Sequence, residues 1–248
     1  MEVHHHSHTA RKKWTHYFWE FFMLFLAVTA GFFVENQREH FIEHKREKQF
    51  IVSMIKELEG DTIRLHGIMR DSVRIKGIND LLDLIYTDNG KITDVREAYY
   101  LLHRYAMGVN FIDFSSNTLS QLKNAGNMRL IRDRNAVDSF NRMDNLIKLI
   151  ERQQNNFLEA LFNTHEYATT IFNGKYFREN GRPIISETIR EKEEPPVLMT
   201  NDPAILITFA NKVNIQAGRL ILYHISLRRY DGFVTRLISY LKKEYHIE

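Results

Sequence analysis

From Tyr17 to Val34 the chain reads YFWEFFMLFLAVTAGFFV, eighteen residues with Glu20 as their only charge. No other stretch constrains the fold as strongly. As a helix it rises about 1.5 Å per residue and covers roughly 27 Å, near the hydrocarbon thickness of a bilayer, so it predicts a membrane-crossing helix. Trp14, Tyr17 and Trp19 crowd its start, where amphipathic rings favour the headgroup level, and Arg11, Lys12 and Lys13 precede them. A cleaved signal peptide competes with this reading, because Val28-Thr29-Ala30 supplies small residues of the kind a peptidase accepts. The run is longer than a signal core and continues through Phe32, Phe33 and Val34, which favours an uncleaved anchor.

Orientation follows from the flanking charges. Three basic residues lie ahead of the span, while Arg38, Lys45, Arg46 and Lys48 follow it closely, so the two sides nearly balance. A basic tail ahead of a first hydrophobic segment usually stays cytoplasmic. That predicts a cytoplasmic N-terminus, with residues 35–248 outside the inner membrane. Within the span, Ala27 and Gly31 form a small-xxx-small pair that lets two helices approach closely, which makes them candidates for self-association.

Beyond the span the chain is close to neutral. With Glu2, Glu20 and three basic residues ahead of position 35, the totals of 34 basic and 31 acidic residues leave 31 and 29 for the remainder. That balance, free of large blocks, is no nucleic-acid footprint. Only 4 Pro and 11 Gly supply few of the turns a sandwich or barrel needs, and the composition leans helical. Apolar positions recur at helical spacing from Phe50 through Ile51, Met54, Ile55, Leu58, Leu65, Ile68 and Met69 toward Ile85, with Gly60 and Gly77 as weak points. Thr87-Asp88-Asn89-Gly90 is a turn signal, and Asp94 is placed to cap a shorter helix reaching Met107. Short elements are expected from Gly108 to Asp133.

Two further seams alternate by three and four. One runs Phe140, Met143, Ile147, Ile150, Gln154, Phe157, Leu161, Thr164, Ala168, Ile171. After the cap signal Asn201-Asp202-Pro203 the other runs Leu206, Phe209, Val213, Gln216, Leu220, Tyr223, Leu227, Tyr230, Val234, Leu237, Leu241. Long amphipathic helices bury such stripes only against one another, so the expected fold is all-α, a transmembrane helix continuing into an elongated antiparallel helical bundle. Gln154 and Gln216 each interrupt a seam, and two amides facing one another across it would fix the register. The stretch from 174 to 202, with Pro195-Pro196 and an acidic run, reads as an exposed connection with a small hairpin over Arg182 to Ile189.

Zero cysteines exclude disulfides, thiolate metal sites and cysteine nucleophiles, which leaves histidine and carboxylate as the strong metal ligands. His4, His5, His6 and His8 lie in the polar tail, residues 1–16, either as a tag fragment, which the spacing argues against, or as a native tract that captures Zn or Ni adventitiously. Just after the span, His40, Glu43 and His44 spell H-x-x-E-H, the inverted zincin signature, with both histidines on one helix face. A peptidase needs a third ligand and a substrate cleft, which nothing downstream announces. The plainer reading is a solvated helix with Glu35–Arg38 and Glu43–Arg46 pairs, although Glu35, Glu39, Glu43 and Glu47 form a like-charged column that calls for compensation. His103 and His224 sit within amphipathic helices, as core or boundary histidines do. Lys45, Arg46 and Lys48 read as a solvated face.

The opening MEVHHHSH, the segment YFWEFFMLFLAVTAGFFVENQREH and the adjoining EHKREKQF resemble the N-termini of uncharacterised single-pass membrane proteins from Bacteroidota. The stretch Thr118 to Asp133, TLSQLKNAGNMRLIRD, is similar to the L-x-x-S-G-x-L-x-L-I-x-D motif of related domains of unknown function in that phylum, with Asn124-Ala125-Gly126 in place of Ser-Ser-Gly. The two matches cover about a quarter of the chain. They imply a native histidine tail, an inner-membrane anchor and a helical domain, with no catalytic residues to carry over. Gly126 is placed to end one short helix and Asp133 to cap the next. The resulting expectation is an anchored, non-enzymatic interaction, scaffold or sensor-like module without a cofactor. Its partners are the lipid bilayer and a protein partner or second copy, and its alternative is a histidine-dependent metal-binding membrane protein.

Overall fold

The computed structural model describes residues 14–69, 72–108, 110–124, 126–180 and 182–247. The order of elements is α1 (Trp14–Met69), α2 (Ser72–Tyr86), α3 (Val95–Leu101) running into a π turn (Leu102–Ala106), α4 (Asn117–Asn124), α5 (Arg134–Ala168), β1 (Arg178–Glu179), β2 (Arg182–Pro183), α6 (Ser186–Glu191) and α7 (Pro203–Glu244). The all-α expectation holds, with a helical bundle and a long N-terminal helix. The chain divides into two compact units, the first ending at Phe50 and the second covering Ile51–Glu248.

In the first unit, α1 is long and apolar enough to cross a membrane. Residues 14–42 are all exposed, including Phe21, Leu24, Phe32 and Phe33. Apolar core burial starts at Ile51, and the boundary between the two units falls just before it.

The second unit is built on α5 and α7, which run antiparallel. Arg142 lies 5.1 Å from the Phe233 ring at one end of the pair, and Lys212 lies 5.2 Å from the Tyr167 ring at the other. The predicted seams are the buried ones: Phe140, Met143, Ile147, Ile150, Phe157 and Leu161 on α5 meet a core that Phe209, Val213, Leu220, Leu227 and Val234 supply from α7. The second half of α1 adds Ile51, Met54, Ile55, Leu58 and Leu65 to that core, and a His66–Asp231 contact at 3.0 Å and a Glu59–Lys242 ion pair at 3.0 Å set it antiparallel to α7. Helix α2 joins the other end of α7 through a Tyr86 hydroxyl that donates to Asn211 at 2.8 Å.

Caps stop and start the helices where the sequence indicates. Asp94 accepts from the Glu97 N–H, Asp133 from Asn135 and Asp202 from Ala204, each at 2.9 Å, and Pro203 stands in the first turn of α7. The turn after α2 uses Asn89 and Gly90 in the left-handed region, at φ 49° and 86°. Gly90 has a second reason to be glycine, because a Cβ there would stand 2.7 Å from the Pro203 carbonyl oxygen. Gly126, at φ 64°, follows α4 as expected.

Three expectations need correction. Gly77 is not a weak point but a packing site: it is buried, and a Cβ on it would fall on the Tyr105 ring. The helix from Asp94 does not continue as α-helix toward Met107 but widens into the π turn, where Met107 N–H reaches back five residues to the Leu102 carbonyl at 3.0 Å. The hairpin is earlier and smaller than Arg182 to Ile189. It pairs Arg178 with Pro183 and Glu179 with Arg182, and the later residues form α6.

Candidate functional site

The residues singled out by sequence are spread along the chain. His4, His5, His6 and His8 lie outside the described residues. In the apolar part of α1, Ala27 and Gly31 are exposed, and nothing stands within 4 Å of where a Gly31 Cβ would be, so this face is open. The polar groups there are met within the helix: the Thr29 hydroxyl donates to the Phe25 carbonyl at 2.8 Å, and His16 lies 3.1 Å from Glu20. Such internal satisfaction is what hydrocarbon demands of a polar side chain.

The H-x-x-E-H segment does not gather into a metal centre. The His40 Nδ1 lies 4.0 Å from Glu43, while the His44 Nδ1 turns one turn further along α1 to Glu47 at 3.4 Å. Among the described residues no group of three or more His, Asp or Glu side chains is arranged to hold a metal. The physical reason is the like-charged column itself, which takes each histidine as a separate partner. Glu35 is answered by Arg38, with Nε to Oε2 at 3.1 Å, and this bond is the leading cause that holds the Glu35 carboxyl below its ordinary range.

A constellation that periodicity alone passes over lies in the second half of α1. Asp61 is fully buried, and both of its oxygens receive the Ser115 backbone N–H. Arg64 closes the arrangement by donating to Asp61, to the Ser115 hydroxyl at 2.9 Å and to the Asp113 carbonyl at 3.4 Å. One turn earlier, Glu57 accepts from the Thr118 N–H at 3.1 Å and from its hydroxyl at 2.8 Å. Burial is the largest influence on Asp61 and pushes its pKa up, against the lowering by Ser115 and Arg64. The two carboxylates thus clasp the irregular segment before α4 against α1. A cleft of about 680 Å³ opens beside the clasp, lined by Arg64, Ile68, Phe111, Phe114, Ser116 and Asn117 among others. Its arginine and one of its serines are already engaged by the clasp.

Gln154 and Gln216 do not face each other. The buried Gln216 donates to the Ala106 carbonyl at 2.8 Å, whereas Gln154 is half-buried and lines a small hollow with Ile112, Phe114 and Ile147. The antiparallel register explains this, since Lys212 sits against Tyr167 and Arg142 against Phe233, which puts the two glutamines in different layers. Gln216 instead belongs to a set of caps on the π turn. Arg74 donates to the Tyr105 carbonyl at 3.1 Å and to that of Gly108. Side chains from α2 and α7 therefore meet the carbonyls that end this helix.

The remaining histidines have structural surroundings. His103 stacks on Phe177 with ring centres 5.2 Å apart and bonds the Ser186 hydroxyl at 2.8 Å, and His224 is buried. Burial lowers the pKa of His103, and it does the same to His165, in each case outweighing a raising influence from Glu187 or from Ala106. Asp61 had a sequence signal after all: it occupies the seam position between Leu58 and Leu65, where an apolar residue is expected. No protein-family profile, curated protein or solved structure matches the chain.

Proposed function

We propose that the protein is an inner-membrane-anchored helical interaction module of a bacterium, with a cytoplasmic N-terminus, a periplasmic helical domain and no catalytic role. The observation that carries this reading is the exposed apolar surface of α1, where thirteen large apolar side chains from Tyr17 to Val34 lack any protein cover. Moving that many from water into hydrocarbon is worth on the order of 20 kcal/mol at roughly 1.5 kcal/mol each, more than the net stability of a typical domain. A bilayer is the solvent that recovers it. The resemblance to single-pass Bacteroidota proteins points the same way. The interaction reading draws on the clasped, capped bundle, whose polar groups are spent on holding segments in place.

Three measurements test it. Alkaline carbonate extraction of native membranes should leave the full chain in the pellet, and release into the supernatant defeats the anchor. Because the chain has no native cysteine, a Lys148→Cys variant should label with a membrane-impermeant maleimide in cells with a permeabilised outer membrane. Labelling only after the inner membrane is broken reverses the orientation. Affinity purification from native membranes should recover a stoichiometric protein partner, and recovery of the chain alone defeats the interaction reading.

A further inference from the structure

Helix α7 carries two seams, of which the bundle uses one. On the side opposite its buried stripe, Ile215, Gly218, Leu222 and Ile225 recur at three and four residues, with Ile221 beside them. The isoleucines and the leucine are 59%, 46%, 52% and 40% exposed for Ile215, Leu222, Ile225 and Ile221. A run of aliphatic side chains at this spacing is the pattern that receives another helix, since knobs from a partner repeat at the same interval. Gly218 adds a hole: nothing lies within 4 Å of the place its Cβ would take, so the position offers room for a large side chain. The fold gives this glycine no other task, and a glycine inside a helix weakens it.

Charge selects the kind of helix. From Pro203 to Tyr230, α7 contains Lys212, Arg219, Arg228 and Arg229 and no Asp or Glu. Arg219 lies on one flank of the exposed stripe, Arg228 on the other, and Arg229 at its end, all three exposed. A second copy of this chain would bring those cations together with no acidic residue of α7 between Pro203 and Tyr230 to answer them. We infer that the outer face of α7 docks an amphipathic helix of a partner protein, one with an aliphatic stripe flanked by acidic side chains. This inference rests on the interaction reading above and names the chemistry of the partner.

The test uses the full chain in detergent micelles, with a polarity-sensitive dye on an Asn214→Cys variant at the edge of the stripe. The probes are two synthetic peptides of about four heptads with identical Ile/Leu stripes, one flanked by Glu and the other by Lys. The Glu peptide should bind and shift the dye emission to the blue, about tenfold more weakly at 0.5 M than at 0.1 M salt. Ile225→Asp, at an exposed position that leaves the bundle core intact, should weaken it at least about tenfold with unchanged circular dichroism. An Arg219→Glu/Arg229→Glu double variant should switch preference to the Lys peptide. Equal binding of both peptides, or of neither, overturns the inference, as do disulfide-linked dimers of Leu222→Cys formed without peptide. If the peptides fail while native membranes still yield a stoichiometric partner, only the α7 face is wrong and the interaction reading survives.

Discussion

The Ser115 backbone N–H lies 3.1 Å from one carboxylate oxygen of Asp61 and 3.2 Å from the other, across 54 positions of sequence. This is a fully buried carboxyl group on a helix seam, held by an amide and an arginine rather than by a packed neighbour. Asp61→Ala should therefore leave the Ser115 N–H and Arg64 without their acceptor and cost about 2–3 kcal/mol, the lower end for a broken buried pair because Arg64 is half exposed. Glu57→Ala, which releases only Thr118, should cost about 1 kcal/mol. Urea denaturation of the full chain in micelles measures both, and amide exchange should show Ser115 and Thr118 losing protection before the α5–α7 core does.

Gly77 and Tyr105 form a second dependent pair. Gly77→Ala puts a methyl group into the space of the aromatic ring, and the expected loss is about 1–3 kcal/mol despite the better helix propensity of alanine. In a Gly77→Ala/Tyr105→Ala double variant the two losses should add to less than their sum, because the ring that clashes is gone. Simple additivity in the denaturation data refutes the contact.

The pH dependence follows from His103 and His165, both held below their ordinary value of 6.5 by burial. Well above pH 6.5 both rings are neutral in the folded and unfolded chain, and their contribution to stability is fully present. As pH falls through 6.5 the unfolded chain takes up protons first, so stability declines until the lower folded-state values are reached. A His103→Gln/His165→Gln variant should show a flatter stability profile from pH 7 down to about 5 than the parent chain. An unchanged slope in denaturant midpoints across that range counts against both assignments.

Gln216 should behave unlike Gln154. Gln216→Leu loses the bond to Ala106 but also removes a buried side-chain oxygen that has no hydrogen-bond partner, so the net cost should stay near 1 kcal/mol. Gln154→Leu, at a half-buried position on the other helix, should change stability by less than about 0.5 kcal/mol. Thermal denaturation of the two variants separates them, and a shared large loss would restore the idea of a facing pair.

Periodicity made α1, α5 and α7 legible because each repeats its burial over many turns, and Asp94, Asp133, Asp202, Asn89 and Gly90 were readable because caps and left-handed turns depend on near neighbours. The clasp was not, since Asp61 and Ser115 meet only after the chain has folded back, and nothing local in FIDFSSN announces a carboxylate partner. The π turn escaped for a related reason. Its carbonyls are met by Arg74 and Gln216 from two other helices, which nothing local between Asp94 and Met107 announces. The H-x-x-E-H string is the opposite case: its spacing is correct for two ligands on one face, but His40 lies near Glu43 and His44 near Glu47.

Both tryptophans of the chain, Trp14 and Trp19, stand at the start of the apolar stretch of α1, whereas the aromatic core of the second unit is made of phenylalanine and tyrosine. The molecule is consequently divided into two spectroscopic compartments. Indole emission, excited selectively at long ultraviolet wavelengths, reports the polarity around the apolar stretch of α1 alone. Near-ultraviolet dichroism from Tyr99, Tyr223 and Tyr230 reports the tertiary packing of the bundle, so the surroundings of that stretch and the unfolding of the bundle can be followed in one sample without attaching a dye.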